Sequence, residues 1–474
     1  MERWKQCVAS AGCQPATQQA TSLRYGEERT ANFGVRVKPT RVMRLLYNLL
    51  FFGFFCVSAP YYFWKMWRRG NWQAGFGQRF AQYDAAFRAA VAGRRIVWLH
   101  AVSVGEVNVC TQLIRALEPR LPGVTLLVST TTSTGMGELR KKLPEQVLKM
   151  YYPIDRRGGV RRALDVIRPA AVVLVEAEIW PNFLWELRDR RVPLFLVNAR
   201  LSERSYRGYR RFGFLFAPVF AGFSGVGAQN EADAGRLREL GFQPDAVRAV
   251  GNLKFDAALG TERRGLDARA LLTQVGVAAD ALVVVAGSTH AGEELILAEQ
   301  CRRLREKFPK LFLVLVPRHF ERAKAVEEEL AAHGVKLARR SEVTAGTRLV
   351  PGAVECLLVD TTGELKYFYE CATVVFVGKS LTAAGGQSPI EPGALGRAMV
   401  FGPNMQNFAP IAAAFVAGQG AVQVPDAAAL ERVLGELLGD ARRREELGRA
   451  ARAVVERNLG AVERTVAMIV ERME

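Results

Sequence analysis

The chain is short of the residues from which metal sites and redox centres are built. It has four histidines in 474 residues, and no HxH, HExxH or DxD triplet supplies metal ligands at recognisable spacing. Its seven cysteines (Cys7, Cys13, Cys56, Cys110, Cys301, Cys356 and Cys371) are odd in number and never spaced CxxC. That excludes a zinc ribbon and a disulfide framework, and the residues read as reduced thiols. No GxxxxGK[ST] is present, which removes the P-loop nucleotidases. No GxGxxG with an acidic residue about 20 positions further on follows the first strand, so a dinucleotide-binding unit fails its own test. Chemistry without a metal and without a cofactor is the expectation.

Acidic charge is also in deficit. Sixty-five Lys and Arg against 47 Asp and Glu leave a net charge of +18 and a pI near 9.9, which calls for an anionic partner: nucleic acid, phospholipid headgroups or a phosphorylated substrate. A nucleic-acid binder gathers its cations into one patch interleaved with aromatics. Here they are spread over helical stretches beside glutamates, as in RLREL (236–240) and ARRREELGR (441–449), so no nucleic-acid partner is expected.

What the chain does have is one long charge-free run, LLYNLLFFGFFCVSAPYYFW from Leu45 to Trp64. As a helix it is long enough to cross about 30 Å of hydrocarbon. Arg41 and Arg44 precede it, Lys65, Arg68 and Arg69 follow, and Trp64, Trp67 and Trp72 cluster at the exit as interfacial anchors do. Pro60 and the positive charge on both sides leave open a helix lying in the interface; a buried core helix is the alternative to both. Residues 1–42 have no helical or strand period and are expected to be a disordered extension, with Met43 a possible alternative start.

From Arg94 onward short β-branched runs alternate with helical stretches: Ile96–Val102, Val124–Thr130, Ala170–Glu178, Val192–Ala199 and Gly222–Ala228. After an unpatterned stretch at 257–267 the alternation restarts with Ala281–Thr289, Leu311–His319, Glu355–Gly363, Thr373–Ser380 and Ala398–Pro403. Near-continuous apolar strands between helices mean parallel sheets covered on both faces. The expected fold is therefore α/β, two Rossmann-like doubly wound domains facing a cleft. The expected division is an extension (1–42), an anchor helix (43–68), a first domain (69–256), a linker (257–267) and a second domain (268–474) whose last helices pack across the junction.

In such sheets ligands bind at the carboxyl ends of the strands, which singles out certain residues. Glu106, in HAVSVGE (100–106), follows the first strand and could take a proton from an attacking hydroxyl, or could simply occupy the first helical turn and favour its dipole. Glu176 and Glu178 close another strand two residues apart, on one face. They could bind sugar hydroxyls or repel each other, or pair with Arg188 or Arg200. Lys254, Ser288 and Arg318 lie past strand ends or at the domain junction, where cations can neutralise a leaving phosphate. Gly363-Glu364-Leu365 and GGQSPIE (385–391) each open a helix whose N–H groups suit a phosphate, with Glu391 placed to accept from ribose hydroxyls; a bland glycine turn is the alternative for each. His319 reads as structural.

HAVSVGE (100–106), EAEIWPN (176–182), NARLS (198–202), GNLKFD (251–256), GSTHAGEE (287–294), VPRH (316–319), DTTGEL (360–365) and GGQSPIEP (385–392), in this order over about nine tenths of the chain, together resemble the Kdo transferases of lipopolysaccharide synthesis. The resemblance implies a GT-B glycosyltransferase on the cytoplasmic face of the inner membrane, in contact with anionic phospholipid. It would move 3-deoxy-D-manno-octulosonate (Kdo) from CMP-Kdo to the glucosamine disaccharide of a lipid A precursor (lipid IVA). It also implies Glu106 as general base, Glu176, Asn198, Arg200 and Lys254 along the sugar and acceptor cleft, and Ser288, Arg318, Gly363, Glu364, Gly386 and Glu391 around CMP. The chain departs from the family at Gln387 and Ser388, where GGHN is usual, so an imidazole is missing from that loop. Another membrane-associated GT-B enzyme using a different sugar nucleotide is the alternative.

Overall fold

The computed structural model of the chain describes residues 41–68, 73, 75–176, 179–259 and 265–473. The expected disordered extension up to residue 40, Trp72, Glu178 and the centre of the expected linker (260–264) lie outside the described residues.

Two seven-stranded sheets, parallel throughout, carry the fold. The first holds β1 (Arg95–His100), β2 (Val124–Thr130), β3 (Leu148–Tyr151), β4 (Pro169–Val175), β5 (Leu194–Ala199), β6 (Gly225–Ala228) and β7 (Val247–Ala249). Its spatial order is β3-β2-β1-β4-β5-β6-β7. The second holds β8 (Leu282–Thr289), β9 (Leu311–Pro317), β10 (Leu337–Arg339), β11 (Cys356–Leu358), β12 (Val374–Val377), β13 (Met399–Phe401) and β14 (Val422–Gln423), in the order β10-β11-β9-β8-β12-β13-β14.

Strand alternation explains why these runs are apolar without a break. Ile96 and Trp98 of β1 join Val172 and Leu174 of β4 on one face, while Val97 and Leu99 join Ala171 and Val173 on the other. The second sheet repeats the plan, with Val283 and Val285 on one side and Val284 and Ala286 on the other. Helices cover both faces of both sheets, so every position along a central strand is interior.

Each sheet reverses its winding once, between β1 and β4 in the first and between β8 and β12 in the second. The strands diverge to opposite connections at these points, leaving a crevice at their carboxyl ends. The helix Leu253–Leu259 touches both Val104–Leu117 of the first half and Ile390–Ala394 of the second, and it runs three residues into the stretch expected to be linker. The last helix, Ala461–Glu471, returns to the first sheet, where Val466, Met468 and Ile469 are buried with Val97 and Val107. Asp256 caps it, accepting from the Gly460 and Val462 N–H groups at 2.7 and 2.8 Å.

The charge-free run lies within one helix, Arg41–Arg68, and Val42–Tyr61 is long and apolar enough to span a membrane. It is not a core helix: Leu45, Leu46, Leu49, Leu50, Phe52, Phe54 and Val57 are between 51 and 83% exposed. Burying one such side chain is worth roughly 1.5–3 kcal/mol, so this helix has an unmet demand for apolar cover. Its first turns are tied to the body by polar contacts, and near its other end the Phe63 ring meets Phe76 edge-on at 6.4 Å. Arg44 forks onto Asp189 at 2.7 and 3.0 Å, Tyr47 donates to the buried Asp155 at 2.8 Å, and Asn48 pairs with Asn182.

Candidate active site

The residues after β1 and β4 meet at the first crevice. Ser103 caps the Val104–Leu117 helix by accepting from the Glu106 N–H. The Glu106 carboxylate reaches back, Oε2 accepting from the Val102 N–H and Oε1 from the Ser103 hydroxyl, both at 2.8 Å. Glu106 therefore does occupy the first helical turn, and this reciprocal cap is what fixes its carboxylate at the mouth of the crevice. Burial pushes its pKa above the usual carboxylate range, and the negative charge of Glu176 adds to the rise against the hydrogen bonds from Val102 and Ser103. That field brings Glu106 and Glu176 into one site.

Glu176 does not pair with Arg188 or Arg200. Its backbone turns into the left-handed region (φ 63°) directly after β4, so the strand's alternation ends there, and its Oε1 accepts from Lys254 Nζ at 2.8 Å and from Asn198 Nδ2 at 3.2 Å. Asn198, fully buried and also left-handed (φ 54°), accepts the Leu253 N–H on its Oδ1 at 3.1 Å. Two non-glycine residues in this region cost of order 1–3 kcal/mol each, and the Asn198 side chain stands among the contacts that hold them. Glu176, Asn198 and Lys254 thus form one hydrogen-bonded network, with Glu106 in the field of Glu176. Arg200, one residue past β5, instead borders an apolar cavity between Leu196, Tyr209 and Phe220.

At the second crevice Ser288 is left-handed (φ 55°) near the end of β8. Gly287 before it has no room for a side chain, because a Cβ would lie 2.0 Å from the Tyr369 hydroxyl. Arg318 is exposed after β9, its N–H donating to the Thr289 carbonyl at 3.0 Å. Gly386 (φ 70°) sits against Met405, whose sulfur would be 2.6 Å from a Cβ.

Glu391 is open to water yet walled by protein. Burial pushes its carboxyl upward, while Lys366 and Lys142 pull it down. Lys142 belongs to the helix Ser133–Lys142 of the first half, where it pairs with Glu138 at 3.0 Å, so the field at Glu391 includes a cation from the other half.

Two features define the loops expected around CMP. Glu364 is not presented freely: Arg340 binds it bidentately at 2.9 and 3.1 Å and Thr361 donates to it at 2.5 Å. The helices opened by Gly363 and by the GGQS loop span only Leu365–Cys371 and Ile390–Ala394, too short for much of a helix dipole. Loop N–H groups and cations must therefore supply most of any phosphate binding.

Other residues of the site had no role assigned from the sequence. Glu293 and Glu294, fully buried at the start of the helix Glu293–Leu304, lie in the GSTHAGEE motif but carry no spacing signal of their own. Glu294 accepts from Thr289 Oγ1 at 2.9 Å and from Arg322 at 2.9 and 3.4 Å. Arg340 is remote in sequence from Glu364 and left no local trace, and Lys142 shows locally only its i,i+4 ion pair with Glu138 at 3.0 Å. His100, in the first motif, is buried and stacked on Tyr152, with Nδ1 2.8 Å from Ser129 Oγ; burial lowers its pKa to about 3, so it is a neutral core residue.

Two doubly wound parallel domains with polar residues at both switch points are the GT-B type of fold. UDP-GlcNAc 2-epimerase from Neisseria meningitidis shares this fold, with a TM-score of 0.55 over 80% of this chain and all of that one at 13% identity, a likeness of fold alone. A family model described as 3-deoxy-D-manno-octulosonic-acid transferase (kdotransferase) matches residues 74–257. A 3-deoxy-D-manno-octulosonic acid transferase of Haemophilus influenzae is 31% identical over 90% of this chain and 95% of its own length. One of Bordetella pertussis is 34% identical over 86% and 95%. The chain belongs to the 3-deoxy-D-manno-octulosonic acid transferase family.

Proposed function

We propose that the chain transfers Kdo from CMP-Kdo to the glucosamine disaccharide of a lipid A precursor, inverting the anomeric centre and using no metal. The observation that carries the reading is Glu106 standing in the field of Glu176, itself paired with Lys254, at one switch point, opposite nucleotide-type loops at the other, in a member of this family. Glu106 removes the proton of the acceptor hydroxyl as its oxygen bonds to the anomeric carbon. The carbon–oxygen bond to phosphate breaks on the opposite face, and CMP leaves with the electron pair. A carboxylate whose pKa is raised by burial and by Glu176 is a stronger base than a free one. Lys254, held by Glu176, and Arg318, exposed at the second crevice, supply the positive charge for the sugar carboxylate and the departing phosphate.

The proposed setting is the cytoplasmic face of the inner membrane, in contact with anionic phospholipid. The uncovered apolar helix supports it, and so does a second surface. Arg204, Arg207, Arg210 and Arg211 stand exposed on Glu203–Arg211, followed by Phe212 at 46% and Phe214 at 71% exposure. The helix Pro181–Asp189 touches both surfaces, meeting the anchor through Asp189 and Asn182 and the Gly213–Phe220 helix through Arg188, which donates to the Pro218 carbonyl at 2.8 Å. Competition separates donor classes: CMP should inhibit transfer where UDP does not. Inhibition by UDP alone would assign a different sugar nucleotide.

A further inference from the structure

Glu293 has no place in the chemistry above, yet its carboxylate accepts four backbone hydrogen bonds at the second crevice. It is completely buried. Oε2 accepts from the N–H groups of His290 at 2.9 Å and Lys379 at 2.7 Å, and Oε1 from those of Ser380 and Leu381, both at 2.9 Å. A carboxylate offers about four lone-pair sites, and here each has a backbone donor. One donor comes from the turn after β8 and three from the turn after β12, so the side chain bridges the two strands at which the sheet reverses.

The bridge leads straight to the candidate nucleotide loop. Lys379 is left-handed (φ 55°), a conformation unfavourable for a residue with a side chain. Its N–H is held by Glu293, and its carbonyl accepts the Gly386 N–H at 2.8 Å. One residue therefore separates the buried carboxylate from the glycine loop that runs into Glu391. Ser380, also fully buried, extends the frame: its Oγ accepts from Gly402 N–H and its carbonyl from Asn404 N–H, both at 2.9 Å, and the chain continues into Met405, which abuts Gly386. On the other side, Gly378 lies against Ser288, whose carbonyl would be 2.5 Å from a Cβ there.

We propose that Glu293 is a positioning residue for the sugar nucleotide. By gathering four N–H groups it fixes the distance between the Ser288 turn and the 385–391 loop, and so sets the shape of the donor site without touching the donor. The proposal rests on the donor binding at the second crevice. An amide cannot replace the carboxylate, since its NH2 group would face two N–H donors, and Asp is one methylene too short to reach both turns.

Glu293→Gln is therefore expected to raise KM for CMP-Kdo and Kd for CMP at least tenfold, about 1.4 kcal/mol, while KM for the lipid acceptor stays within twofold. A residue that only stabilised the fold would lower the active fraction and leave the donor KM of the surviving enzyme as it was; that outcome overturns the proposal. Should the Gln variant not fold, Glu293→Asp is read in the same way. Amide exchange in the wild-type chain gives a test free of substitution: Lys379, Ser380 and Leu381 should be protected before CMP is added, and fast exchange there refutes the bridge. Wild-type chain that binds no CMP while these amides remain protected would place the failure in the donor reading rather than in the bridge.

Discussion

Replacing Glu106 by Gln changes one oxygen and separates the two things this side chain does. Structurally it closes the start of a helix, accepting from Val102 N–H and Ser103 Oγ at 2.8 Å. Gln can keep the first bond through its carbonyl oxygen and donate to the Ser103 hydroxyl with its NH2 group, because a hydroxyl accepts as well as donates. What is lost is the charge at the helix start, about 0.3–1 kcal/mol, or a fall in melting temperature of about 2–4 °C or less for domains of this size. Chemically the loss is of another order, since Gln accepts no proton and a general base contributes roughly 10²–10⁴-fold. Stopped assays of CMP release, with CMP titrated calorimetrically in parallel, should show kcat down by that factor and CMP affinity within about twofold of wild type. The wild-type rate should rise with pH above the range of an ordinary carboxylate, because the base must be ionised and its pKa is raised; the variant's residual rate should lack that rise. Turnover by Glu106→Gln within tenfold of wild type would remove Glu106 from the role and leave it a helix cap.

Three further outcomes follow from the same geometry. Glu176→Gln removes a negative charge that helps to raise the Glu106 pKa and releases Lys254 beside it, so the acid limb of kcat/KM should move to lower pH; a limb that stays or moves up contradicts the network. Arg340→Met strands the half-buried Glu364 at a cost of about 1–3 kcal/mol, so the chain should melt several degrees lower and bind CMP less tightly; unaltered CMP affinity would show that the 361–365 turn is not part of the donor site. Changing Arg204, Arg207, Arg210 and Arg211 together to Gln removes up to about 1 kcal/mol of attraction per charge at an anionic surface. That variant should lose most of the gain in turnover that phosphatidylglycerol gives the wild type in phosphatidylcholine vesicles, whereas an equal gain refutes the patch.

The strands that could be read from the sequence and those that could not differ by position in the sheet. All ten strands expected from β-branched runs are present, and each lies inside a sheet. The four that were missed, β3, β7, β10 and β14, are the four edges. Their sequences, LKMY, VRA, LAR and VQ, are short and mixed because an edge strand is only partly enclosed, so no long apolar run is required of it. The site divides along a similar line. Glu106, Glu176 and Ser288 were legible because they lie at or just past the ends of apolar strands. The partner of Glu176 was not, since Lys254 is 78 residues away and Arg188 and Arg200 are near in sequence but face elsewhere. The ion pair of Glu364 with Arg340 was not legible either, because Arg340 is brought to it by the pairing of β10 with β11.

The central claim is tested most directly by incubating the purified full chain with CMP-Kdo and a tetra-acylated lipid A precursor in detergent, following CMP release and the mass of the lipid. The account predicts stoichiometric CMP release and a lipid heavier by whole Kdo units. CMP binding without any gain in lipid mass would contradict the proposed acceptor, and the absence of CMP binding would contradict the assignment of the donor site.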